Sequence, residues 1–274
     1  MSRKTLRILL LGLAAAVSIA IAVGLIVLAL TPAPQEAPPA PPPPPVEKPV
    51  APPAPPVSDA RRAIEEKIAA VPEVARFFDR LKLALPGEYE KAVDALARGE
   101  TTDNPDLWLS EAVKSLRQSR GTMGAKADAP ALSNVFSRQF AVLDALSARD
   151  PKLCVDFLYG GASEAIFSFA AENRALVSDL AIAGLDAIVD GEQKKIARGA
   201  PNEADFQILE KALTDRGLGK PEIEALLDGK TPDPPLPDAQ MCAAGKTYLQ
   251  TLATLPEETR LRIYALAVEL MARS

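Results

Sequence analysis

Apolar and polar positions along the chain fall into three regimes. Residues 8–30 are 23 consecutive residues without a charge. At ~1.5 Å rise per residue, one helix of that length crosses a bilayer core of about 30 Å. Residues 31–57 show no periodicity, because 14 of the 26 residues from 32 to 57 are proline, five of them in a row at 41–45. Proline lacks an N–H and has a fixed φ, so this stretch forms neither helix nor sheet. From residue 58 onward, apolar residues recur at helical spacing and no alternating strand pattern is found. The spacing predicts helices over 59–70, 73–84, 87–98, 105–119, 131–148, 151–159, 163–190, 203–215, 221–228, 238–253 and 257–272.

Local signals set those boundaries. Asn104-Pro105 and Asp150-Pro151 place a capping side chain before a proline in the first turn, and Asn202 precedes another helical pattern. Thr254-Leu255-Pro256-Glu257 has capping-box spacing. Gly99, Gly160, Gly217 and Gly229 stand where helices should stop. The 163–190 helix is expected at the centre. One face carries Ile166, Phe169, Leu176, Val177, Leu180 and Ile188, and another carries Phe167, Ile182, Leu185 and Val189. A helix apolar on two faces is surrounded by others. Asn173 falls on the first of these faces and reads as a hydrogen-bonded core residue or a tilt of the stripe.

The expected fold class is all-α: one N-terminal transmembrane helix, a proline-rich stalk, then a multi-helix bundle. The expected divisions are a cytoplasmic N-terminus at 1–7, a span at 8–30, a linker at 31–57, a small helical subdomain at 58–120, a flexible loop at 121–130 and a main bundle at 131–274. Arg3, Lys4 and Arg7 precede the apolar run, and the next charge is Glu36. The positive-inside bias therefore keeps the N-terminus in the cytoplasm and puts the bulk of the chain across the membrane. A cleaved signal peptide is the rival reading. Its apolar core runs only about 7–15 residues, and Thr31-Pro32-Ala33 is a poor cleavage site. As polyproline II, at about 3.1 Å per residue, the stalk reaches up to ~80 Å.

The layout of residues 1–57, an apolar anchor followed by a proline-rich spacer, resembles that of TonB-like energy transducers in composition. The resemblance ends there: those proteins carry strands in their C-terminal domain, and no strand pattern follows residue 58. Residues 87–96 (Gly-Glu-Tyr-Glu-Lys-Ala-Val-Asp-Ala-Leu) resemble one helix of a tetratricopeptide repeat. The partner helix and the 34-residue period of that family are missing, so an amphipathic helix with a solvated charged side is expected.

Composition narrows the compartment and the partners. Residues 58–274 carry 27 Lys and Arg against 34 Asp and Glu, a net charge of −7. That lacks the basic footprint of nucleic-acid binding. Cys154 and Cys242 are the only cysteines. In an oxidising compartment a disulfide is the simplest reading of such a pair; buried free thiols and a redox-active pair are the alternatives. With no histidine in the chain, His-dependent triads and most metal sites are excluded, and two cysteines do not close a zinc site. No catalytic, cofactor-binding or metal-ligating residue is assigned, and no cofactor is expected.

Two features bear on chemistry. Gly160-Gly161-Ala162-Ser163-Glu164 reads as a helix stop followed by a helix start rather than an anion site. Glu88, Glu90, Glu111, Glu164 and Glu172 supply carboxylates for a cell-wall glycosidase, which needs no histidine, but none stands in a distinctive apolar setting. The expectation is therefore a bacterial inner-membrane protein whose periplasmic helical domain binds a protein partner or serves as a scaffold. A paired-carboxylate enzyme acting on the wall and a non-enzymatic peptidoglycan-binding spacer are the alternatives.

Overall fold

A computed structural model describes residues 57–99, 104–161 and 163–273. The apolar run at 8–30 and the proline-rich stretch through residue 56 lie outside the described residues. Among the described residues there are twelve α-helices and no strand, and no helix is long and apolar enough to cross a membrane. The helices are α1 (Val57–Ala69), α2 (Pro72–Ala84), α3 (Pro86–Arg98), α4 (Pro105–Gly124), α5 (Ala129–Arg149) and α6 (Pro151–Leu158). They continue with α7 (Glu164–Glu172), α8 (Arg174–Lys194), α9 (Glu203–Asp215), α10 (Lys220–Asp228), α11 (Asp238–Thr254) and α12 (Glu257–Arg273).

Six of these helices have proline in the first two positions. Its ring fixes a helical φ, and its missing N–H is one the first turn leaves unpaired anyway. The capping side chains do the rest. Asn104 accepts from the Asp106 amide at 3.0 Å and Asp150 from the Lys152 amide at 2.8 Å. Asn202 and Asp205 form a reciprocal capping box. Gly160, Gly217 and Gly229 take positive φ at helix ends, as expected.

Two apolar cores meet on one helix. Ile68, Val74, Phe77, Phe78, Leu81, Val93, Leu96, Trp108 and Leu116 build the first from α1–α4. Leu132, Phe136, Leu143, Leu146, Leu209, Leu213, Leu252 and Tyr264 build the second from the later helices, with the Phe136 and Tyr264 rings stacked at 3.8 Å. Helix α8 belongs to both. Its Ala183 and Ala187 join the second core, and its Leu185 and Ile188 join the first.

The expected central helix is thus present, but in two pieces. It breaks at Asn173, whose backbone (φ −123°, ψ 36°) leaves the helix. The Asn173 side-chain amide donates to the Phe169 carbonyl at 2.9 Å, the same carbonyl that takes the Asn173 backbone amide at 3.0 Å, so this short polar side chain closes the end of α7 where the chain turns into α8. The break also changes the phase of the stripes: Val177 and Ile188 pack on the same side as Ile182 and Leu185.

The loop expected at 121–130 is only four residues long, 125–128. Helix α4 runs on through Gly121 to Gly124 because both glycines are packing positions. A Cβ at Gly121 would meet the Ala272 Cβ at 2.7 Å, and one at Gly124 would meet Val268 at 3.2 Å, both on α12. The connection is pinned. The Asp128 amide donates to Asp190 at 2.7 Å, the Ile196 amide donates to the Lys126 carbonyl at 3.0 Å, and Arg198 donates to the Ala125 carbonyl at 3.2 Å. The Thr254–Glu257 capping box does not form. Thr254 ends α11, its hydroxyl donates to the Thr251 carbonyl at 2.9 Å, and α12 starts after Pro256.

Candidate functional site

Cys154 on α6 and Cys242 on α11 are joined, with sulfurs 1.99 Å apart and Cα atoms 5.6 Å apart across a separation of 88 residues. Both are buried. Asp150 caps α6 and so sets the turn that aims Cys154 inward, while Met241, Cys242, Ala244 and Gly245 form the buried side of α11. Gly245 lets the helices approach closely, since a Cβ there would come 2.8 Å from a methyl of Leu158 on α6, which would have to turn aside. The bond therefore crosses a close helix contact. A shallow groove of about 400 Å³ lies over it, lined by Ser147, Pro151, Ala239, Cys242, Ala243, Lys246, Thr247 and Gln250.

The more polar hollow, about 550 Å³, lies where α3, the last turns of α4 and the end of α8 converge. Glu88 forms its floor and is buried although charged. It accepts hydrogen bonds from Arg120 Nε at 2.9 Å, Lys91 Nζ at 3.1 Å and the Ser119 hydroxyl at 3.3 Å. Arg120 reaches on to Glu192 through Nη1 at 2.7 Å. The line Glu88–Arg120–Glu192 thus ties three helices together by charge. Farther along the same helix pair, Arg174 grips the buried Asp106 through two bonds at 2.9 and 3.0 Å. These pairs join the starts of α4 and α8 to each other and their ends to each other, so the two helices run parallel. Between them a Cβ at Gly191 would overlap the Met123 carbonyl oxygen and lie 2.8 Å from its carbon. Lys195, on the rim of the hollow, ends α8 in the left-handed region at φ 50°.

This arrangement favours the charged form of Glu88. Burial acts to raise the Glu88 pKa, but the hydrogen bonds from Arg120 and Lys91 outweigh it, and the carboxyl sits below its usual range. A glycosidase general acid needs the opposite shift. The other candidate carboxylates do not converge on it. Glu90 faces Arg61 of α1 at 2.5 Å, and Glu172 pairs with Arg149 at the end of α5. Glu111 is exposed on α4, and Glu164 is exposed in the first turn of α7. Ser163 caps α7, accepting from the Ile166 amide at 3.4 Å, as the helix-start reading expects. Among the described residues no group of three or more Cys, Asp or Glu is placed to hold a metal ion.

Arg120, Glu192 and Lys195 carry no signal of this cluster in the sequence. Charges 32 and 72 residues apart leave no local signature. The strongest polar cluster was half legible. Asp205, at the third position after the Asn202 cap, is buried and accepts from the Thr259 hydroxyl at 2.7 Å and from Arg262 at 2.8 and 2.7 Å. The cap could be read from spacing; the partners on α12 could not. No protein-family model, curated protein or solved structure matches this chain.

Proposed function

We propose that the helical domain is a protein-binding or scaffold module, held on the periplasmic face of a bacterial inner membrane by the 8–30 helix and set off from it by the proline-rich stalk. The observation that carries the compartment is the Cys154–Cys242 bond, because such bonds persist in oxidising environments. It agrees with the side chosen from Arg3, Lys4 and Arg7. Anchor and stalk would act by raising the local concentration of the domain near membrane-bound partners. The binding role is supported by the chemistry of the carboxylates: Glu88, Glu90 and Glu172 are each committed to a cation that also braces the fold. Such groups fix shape and surface charge, which is what a docking module needs.

The test is crosslinking of the tagged full-length chain in intact cells, with residues 1–57 alone as control. A discrete partner captured only when the helical domain is present is the expected result. Capture equal to the control, or a hydrolytic activity lost on replacing one carboxylate, would sink the proposal.

A further inference from the structure

Helix α1 is built differently from its neighbours. In α2, Val74, Phe77, Phe78 and Leu81 are all buried. In α1, Ile68 is the one fully buried side chain among residues 59–69, with Ile64 half-buried beside it. Polar contacts near the surface also tie it to α3. Arg61 reaches Glu90 at 2.5 Å and Asp94 at 3.1 Å, and the Tyr89 hydroxyl donates to Glu65 at 3.1 Å. Ion pairs at that exposure are individually weak and are screened by salt. A helix of 13 residues is marginal in water without tertiary packing. The devices that knit the rest of the fold lie elsewhere: the disulfide joins α6 to α11, and α8 is shared by both cores. In sequence, α1 is also the element that follows the proline-rich stretch directly.

We propose that α1 is a latch that detaches as a unit while α2–α12 stay folded. Its release frees a polar seat on α3, the Tyr89 hydroxyl with the Glu90 and Asp94 carboxylates, from Glu65 and Arg61. In the closed state Arg61 and Glu65 occupy that seat while Ile64 and Ile68 enter the first core, so the seat suits an amphipathic helix that presents a cation to the two carboxylates. This device does not depend on the binding role proposed above.

Hydrogen exchange of the full-length protein in detergent, followed by mass spectrometry, tests it. Amides of 59–69 should exchange roughly 100-fold faster than those of α8, yet remain clearly protected relative to an unstructured peptide. Raising the salt from about 50 to about 500 mM, or introducing Arg61→Ala, should speed exchange in α1 severalfold and leave α8 unchanged. Equal protection of α1 and α8, or parallel acceleration of both by Arg61→Ala, would show that α1 opens only with the whole fold. Exchange of α1 at the unstructured rate would show that there is no closed latch. Either result overturns the proposal.

Discussion

Removing the disulfide tests whether the two cores behave as one cooperative unit. Replacing Cys154 and Cys242 together by alanine frees a closed loop spanning 88 residues. Loop-closure entropy for that length gives an upper stabilisation of about 4–5 kcal/mol. A domain of this kind has a total stability of about 5–15 kcal/mol, so the loss is large. With a urea slope of roughly 2–3 kcal/mol per molar, the unfolding midpoint should fall by up to roughly 1.3–2.5 M. The structure also says where the loss should be felt. The chain has one tryptophan, Trp108, and it is buried in the first core, whereas the bond lies in the second. Ala183, Leu185, Ala187 and Ile188 carry α8 through both cores, and Gly121 and Gly124 press α4 onto α12. Trp108 fluorescence and far-ultraviolet circular dichroism should therefore shift together. If the dichroism midpoint falls while the Trp108 midpoint stays put, α8 does not couple the cores. If neither moves, the bond contributes nothing and the entropic reasoning fails.

Three further outcomes follow from particular contacts. Gly191→Ala should cost about 1–3 kcal/mol or more in urea unfolding, because the new methyl meets the backbone carbonyl of Met123 and not a yielding side chain. Asp205→Asn should cost about 1.5–3 kcal/mol near neutral pH, by weakening the charge-assisted bonds from Arg262. Those bonds, working against burial, hold the Asp205 pKa far below the usual range. The stabilisation is complete above the ordinary Asp value of about 4 and is lost as pH falls through the lower native value. The gap between wild type and variant should thus narrow at about pH 3; a constant gap would refute the assignment. Burial pushes Tyr248 up to about 12, and burial together with the bond to Glu65 does the same for Tyr89. The pKa values of Tyr159 and Tyr264 are also raised by burial. Phenolate absorbance of the native chain should lag that of the unfolded chain above pH 10. Because these values are raised, stability should decline as pH climbs from about 10 through about 12.

Asn202 shows how far the sequence reached and where it stopped. The cap at that position, the prolines opening α4 and α6, and the glycines closing helices at 160, 217 and 229 were all legible. Each acts within one turn of chain, where steric and hydrogen-bonding rules are local. The all-helical class was legible for the same reason, since helical periodicity is written in neighbouring residues. Cys154 and Cys242 were readable as a candidate pair because there was no third cysteine to choose.

What tertiary structure decided was everything that depends on which surfaces meet. Gly121 and Gly124 look like loop residues in sequence; α12 packed against them makes them helix. Asn173 looks like a core residue; the energetic balance between continuing one helix and turning α7 away breaks the chain there. Glu88 looks like any surface acid until Arg120, on a different helix, buries and neutralises it. Local sequence fixes the conformations a segment prefers by itself. Packing between segments distant in the chain adds energies of similar size, and these decide which helices lengthen, which break, and which charges go inside.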